Sequence, residues 1–239
     1  MYNPRNSTFG SRYQYQTMPY AVGREQSSSL IGKVMGLLAF SFVFALIGTF
    51  VGFFVIHSLA TYWIIAIAGL VVLFILNLVI QKPGINLFLL YLFTFLEGMA
   101  LSPLISAYTS AGYSNLLGEA FLITAVTSLA LALYAWTTKR DFTRLADYLF
   151  FGLILLVVVS LVGLFFGGIF NTGLVGLVIS FIGVAIFSGY VLVYVQRAKY
   201  MADTLPNAIG LTVSIFITVL NLFLYILEIL SILQGGRRR

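Results

Sequence analysis

Of the 239 residues, 61% are hydrophobic and 8% are charged, and the mean hydropathy is +1.05. This excludes a soluble domain, whose water-facing surface carries about a quarter charged residues. The formal charge of +6 comes from basic residues set between apolar runs, a pattern of membrane topology and not of a nucleic-acid-binding face. Without cysteine, a disulfide framework, thiolate metal ligation and thiol catalysis are excluded together.

Residues 1–29 are rich in Tyr, Ser, Gln, Arg and Asn, contain Pro4 and Pro19, and show no apolar period. They read as a disordered, basic and polar cytoplasmic tail. The first apolar run starts near Leu30 and is too long for the core of a cleavable signal. Seven runs follow, at 31–56, 62–80, 85–106, 116–136, 148–166, 174–194 and 207–233, each near the ~20 residues that cross a bilayer as a helix. Breakers separate them: Lys82-Pro83-Gly84, Ser110-Ala111-Gly112, Gly167-Gly168, Asn171-Thr172-Gly173 and Leu205-Pro206-Asn207. The runs are continuous, whereas a barrel needs alternating strands of about ten residues. The predicted fold is an all-α integral membrane protein, with a seven-transmembrane-helix bundle at 30–233 and a short basic tail at 234–239.

Basic residues set the orientation. Arg5, Arg12, Arg24 and Lys33 lie at the N-terminal end, Lys82 in the second-to-third connection, Lys139, Arg140 and Arg144 in the fourth-to-fifth, and Arg197 and Lys199 in the sixth-to-seventh. The alternate connections, 57–61, 107–115 and 167–173, hold none. The positive-inside rule then puts the N-terminus in the cytoplasm. Arg237, Arg238 and Arg239 disagree, because seven spans leave them outside. A full last span is expected over a re-entrant one.

Several functions of multi-span proteins fall away. The last run has no lysine for a retinal Schiff base. His57 is the single histidine, too few imidazoles for haem or zinc. A Ser–His protease would have to bring Ser188 to this interfacial His57. No phosphate-cradling glycine loop ends in lysine. Neither an enzyme nor a cofactor or metal site is expected.

Ionisable groups inside the bilayer are costly and so become functional candidates. Glu97 falls near the middle of the third span, with Thr94, Gly98, Leu101 and Ser102 on its helical face. Ser102-Pro103 frees a backbone carbonyl nearby and favours a kink. Together these suggest a site for a cation or proton. The competing reading is a protonated Glu97 hydrogen-bonded to a neighbouring helix. Glu228 lies in the outer third of the seventh span, near Tyr225 and Asn221. Glu119 reads as a carboxylate at the N-terminal dipole of the fourth helix, and Lys139 to Arg144 as a solvated anchor. Gly176, Gly183 and Gly189 thin the sixth span for close packing.

Several stretches resemble the Bax inhibitor-1 family, also called the transmembrane Bax-inhibitor-motif family. They are Phe93-Thr94-Phe95-Leu96-Glu97-Gly98 with Leu101-Ser102-Pro103-Leu104, Thr137-Thr138-Lys139-Arg140-Asp141-Phe142, Phe187-Ser188-Gly189-Tyr190-Val191-Leu192 with Gln196, and Asn221-Leu222-Phe223 with Ile226-Leu227. The ordered set covers roughly 30–233 and is most similar to the YccA-like bacterial branch, while the basic C-terminus resembles eukaryotic members. The resemblance implies seven helices and a link to pH-sensitive calcium leak, to protection from stress or cell death, or to modulation of a membrane-bound protease. In calcium-leak members an aspartate pair in the sixth and seventh helices is thought to sense protons. The matching positions here are Tyr194 and Thr218, so that gating mechanism is not expected to carry over.

Two functions follow. The first is a passive cation leak, for calcium or protons, with Glu97, Thr94, Ser102, Glu228 and Asn221 as pathway candidates. The second is a non-transporting modulator of a membrane quality-control protease. Besides the lipid bilayer, the expected partners are Ca2+, H+ or such a protease, and no nucleic acid. A bacterial cytoplasmic membrane is the expected location, ahead of the endoplasmic reticulum.

Overall fold

The computed structural model describes residues 24–166 and 173–236. It contains seven helices: α1 (Arg24–Val55), α2 (Leu59–Val79), α3 (Ile85–Ser110), α4 (Ser114–Thr137), α5 (Leu145–Phe166), α6 (Gly173–Ala198) and α7 (Leu205–Gly236). Lengths of 21 to 32 residues give roughly 32–48 Å at ~1.5 Å per residue, enough to cross a bilayer core. No strand occurs among the described residues. Phe54, Phe74, Phe121 and Phe151 are exposed, as expected where the solvent is lipid. In-helix hydroxyls are satisfied locally: Thr124, Ser180 and Thr212 each donate to the carbonyl four residues back.

α7 joins two half-bundles. On one side it packs with α1, α2 and α3 around Leu76, Leu90, Phe93, Ile209 and Phe216. On the other it packs with α4, α5 and α6 around Leu116, Leu156, Ile186, Val193 and Leu222. The seam between α1 and α3 is the closest. A Cβ on Gly48 would collide with the Phe95 backbone, and one on Gly98 with the Ala45 backbone. The same change at Gly52 would bring it 2.8 Å from the Met99 carbonyl, the acceptor that Pro103 deprives of its helical partner. Thr49 Oγ1 lies 2.9 Å from both the Ala45 and the Gly98 carbonyls.

All seven predicted runs are helical and in order, but most of their ends move outward, while α1 and α2 each stop one residue short of the predicted end. α1 begins at Arg24, so the last six residues assigned to the tail are helical. Leu30 and Val34 anchor this extension, fully buried against Ala198, Ala208 and Leu211, and residues 1–23 lie outside the described part. Ser110 closes α3 instead of breaking the chain, with the turn falling at Gly112, whose φ is +77°. The Leu205-Pro206-Asn207 breaker is instead the first turn of α7, where proline needs no donor. At the other end, α7 is continuous through Gly236, so 234–236 belong to the helix, with no turn for a re-entrant hairpin. Arg237–239 lie outside the described residues, as does 167–172.

Candidate functional site

The face where α1 begins is held by long-range polar contacts. Lys33 Nζ is 2.9 Å from Asp203 Oδ1 and 3.0 Å from Oδ2. Burial alone would raise the Asp203 pKa, but hydrogen bonds from Lys33 and Ser29 and the Lys33 charge together bring it below the usual carboxylate value. Gln196, buried at the end of α6, clamps the α4–α5 loop. Its Oε1 accepts from the Phe142 amide, and its Nε2 donates to the Arg140 carbonyl, both at 2.5 Å. Lys199 Nζ donates to the Ala135 carbonyl at 2.6 Å and lies 5.6 Å from the Trp136 ring centre. Burial lowers the Lys199 pKa.

Deeper in the same half of the bundle is a cavity of about 200 Å³. Its polar lining comes from Asn77 on α2, Tyr190 and Tyr194 on α6, and Ser214 and Thr218 on α7. Thr218 Oγ1 donates to the Ser214 carbonyl at 2.7 Å, and Ser214 Oγ to the Gly210 carbonyl at 2.9 Å. Both hydroxyl protons are therefore engaged while oxygen lone pairs stay available. No carboxylate lines this space.

Aromatic rings continue past it along α6 and α7. The Arg197 guanidinium lies over Tyr194 at 5.8 Å, Tyr194 stacks on Tyr190 at 5.5 Å, and Phe187 stacks on Tyr225 at 5.8 Å. Phe187 lines the cavity. The Tyr225 ring rests on bare backbone, since a Cβ on Gly183 would stand 2.6 Å from Tyr225 Cγ. The Tyr225 and Ser160 side chains hydrogen-bond, tying α7 to α5.

The sequence candidates are scattered around this arrangement. Glu97 lies twelve residues from the start of α3 and thirteen from its end, at mid-depth as expected. It is partly buried and faces α2, where a Cβ on Gly69 would stand 3.4 Å from Glu97 Oε1. Thr94 is buried and donates to the Tyr91 carbonyl at 3.2 Å, Ser102 packs on Gly52, and Asn221 donates to the Ile217 carbonyl at 2.8 Å. None of these, nor Glu228, lines the cavity. Glu119 is exposed and is the sixth residue of α4, with no acid in the first turn. The dipole role given to it fails because α4 starts two residues earlier than expected, at Ser114. His57 sits just beyond α1 with its Nε2 2.8 Å from the Phe54 carbonyl. Ser188 lies fifteen residues into α6, a depth of roughly 22 Å at ~1.5 Å per residue, so the two do not meet.

A family model described as inhibitor of apoptosis-promoting Bax1 matches residues 27–235. The chain belongs to the Bax inhibitor-1 family. Among its relatives, an uncharacterized protein of Campylobacter jejuni is 33% identical over 209 residues, covering 85% of this chain and 88% of that one. A Vibrio cholerae membrane protein is 32% identical, with coverage of 61% and 63%. A Golgi anti-apoptotic protein of vaccinia virus is 29% identical, with coverage of 67% and 64%. The protein is a multi-pass integral membrane protein, and its bacterial relatives fit a bacterial membrane. Within this family Tyr194 and Thr218, the positions set against the aspartate pair, come together on one cavity. Asn77, Tyr190 and Ser214 complete its polar lining and were missed from sequence, because nothing local to α2, α6 or α7 reveals what they face.

Proposed function

We propose that this chain is a passive cation leak protein serving ion homeostasis under stress, and that its pathway enters through the cavity between α2, α5, α6 and α7. The cavity itself supports the reading: its ~200 Å³ holds roughly six waters at ~30 Å³ each, against a lining that carries five polar side chains. A cation there meets hydroxyl, phenol and amide oxygens. Neutral oxygens suit a proton or a monovalent ion, whereas calcium, which takes about six to eight oxygens including carboxylates, would keep most of its water. The Phe187–Tyr225 stack forms the resting barrier between the cavity and the half of α7 that carries Glu228. We place the N-terminal face in the cytoplasm, since Lys33, Lys82, Lys139, Arg140, Arg144, Arg197 and Lys199 all belong to it.

Flux of H+, K+ and Ca2+ into proteoliposomes tests this directly. A slow leak that varies little between about pH 5 and 8 is expected. Flux no greater than that of protein-free liposomes for all three ions would refute it. The second reading, a non-transporting modulator of a membrane-bound protease, draws support from the missing carboxylates and would then be preferred.

A further inference from the structure

We propose that the α4–α5 loop is a binding site for the headgroup of an anionic phospholipid in the leaflet at the N-terminal face. Charge alone does not motivate this, because flexible basic loops are common anchors. Here the backbone is held in place. Gln196 uses both ends of its amide on Arg140 and Phe142, and Lys199 engages the last carbonyls of α4. The Phe142 ring lies 6.1 Å from that of Tyr134 and packs on the α4–α7 core.

Among the described residues the cations on this fixed loop form no salt bridge, although the Arg144 charge is felt by Asp141. Lys139, Arg140 and Arg144 are exposed, and among the described residues the ion pair is Lys33–Asp203. The loop acid, Asp141, is exposed as well, and its carboxylate is spent on its own turn. Its Oδ1 accepts from the Thr143 amide at 2.8 Å and from Thr143 Oγ1 at 2.5 Å. Asp147, in the first turn of α5, offsets part of the charge where the helix dipole favours an acid. Tyr134, Tyr148 and Tyr200 are exposed around the loop, and such aromatics mark the polar–apolar boundary of a membrane. A phosphodiester at that depth meets two guanidiniums suited to paired hydrogen bonds, on a backbone whose ordering cost is already met.

The two tryptophans allow a direct test. Trp63 is in α2 at the opposite face and is partly lipid-exposed, so Trp63→Phe leaves Trp136, beside the loop, as the reporter. In phosphatidylcholine vesicles, brominated phosphatidylglycerol should quench Trp136 several-fold more than brominated phosphatidylcholine at the same mole fraction. Arg140→Gln with Arg144→Gln, both on exposed side chains, should abolish the excess. Gln196→Leu should also reduce it, although every charge remains. Lys82→Gln, removing the lone cation of the α2–α3 turn, should preserve it. Equal quenching by the two lipids would overturn the proposal. So would a loss in Lys82→Gln as large as in the double variant, or a full excess in Gln196→Leu, since either means diffuse charge and not a built site.

Discussion

Tyr194 on α6 and Thr218 on α7 line the same cavity, Tyr194 with its ring stacked on Tyr190 and Thr218 with its hydroxyl bonded to the Ser214 carbonyl. Two carboxylates so placed would share a proton and change occupancy with pH. A phenol and an alcohol do not ionise between about pH 5 and 8. The wild-type leak should therefore stay nearly flat across that range, and Tyr194→Asp with Thr218→Asp should introduce a pH response. Flux measured from pH 5 to 8 for both proteins checks this. A steep wild-type response would place the proton sensor elsewhere.

The floor of the cavity yields a second prediction. Gly183 lets the Tyr225 ring lie on the α6 backbone, so Gly183→Ala must displace it and loosen its stack on Phe187. Leak should rise in Gly183→Ala and rise further in Tyr225→Ala, by several-fold per folded molecule. Unchanged flux in both would remove this stack as the barrier.

Glu97 separates a conducting role from a packing role. It faces Gly69 and lies off the cavity, which favours packing. Glu97→Gln, which hydrogen-bonds much as a protonated acid does, should leave flux and melting temperature near wild type. Glu97→Leu should lower stability by about 1–2 kcal/mol, or less within a bilayer. A fall in flux in the Gln variant at unchanged stability would restore Glu97 to the pathway.

Topology can be read with single cysteines in this cysteine-free chain. The α3–α4 turn is best probed at Ala111, because Gly112 has a positive φ and would be strained by a side chain. Ala111→Cys should react with an impermeant thiol reagent from the outer side, and Lys82→Cys only after permeabilisation. The reverse pattern would invert the orientation.

Lys33–Asp203 gives a pH dependence with a definite sign. The folded-state pKa of Asp203 lies below its ordinary value of 3.8, so the pair's contribution is fully present above that value and is lost as pH falls through the lower, folded pKa. Lys33 is 47% exposed, which limits the pair to at most about 1 kcal/mol. Thermal melts of wild type and Asp203→Asn should differ slightly at pH 7 and converge only as the pH is taken well below 3.8. A gap that widens on acidification would reverse the sign.

The helices were legible because each run is long and apolar, and their order and number follow from breakers such as Lys82-Pro83-Gly84. Their ends were not, because tertiary burial decides them. Leu30 holds the start of α1 in helix only because Ala198, Ala208 and Leu211 cover it. The depth of Glu97 could be counted along the chain, while its neighbour Gly69 could not. Partners separated by 170 residues, as in Lys33–Asp203, or by 54, as in Phe142–Gln196, leave no local periodicity to read. Tyr194 and Thr218 were singled out by family resemblance, and their meeting on one cavity is a property of the packed bundle.

The glycine seam between α1 and α3 also bears on the order in which the bundle assembles. Thr49 cannot reach the Gly98 carbonyl until α2 and half of α3 have been made, so the first helix must wait in the lipid as a lone span. Its Leu30 end waits longer still, because Ala208 and Leu211 belong to the last helix. Of the seven described helices, the one made first is thus the one completed last. A chain that terminates before α7 leaves the Leu30 end of this helix uncovered, which marks the product as unfinished to any machinery that surveys newly made membrane proteins.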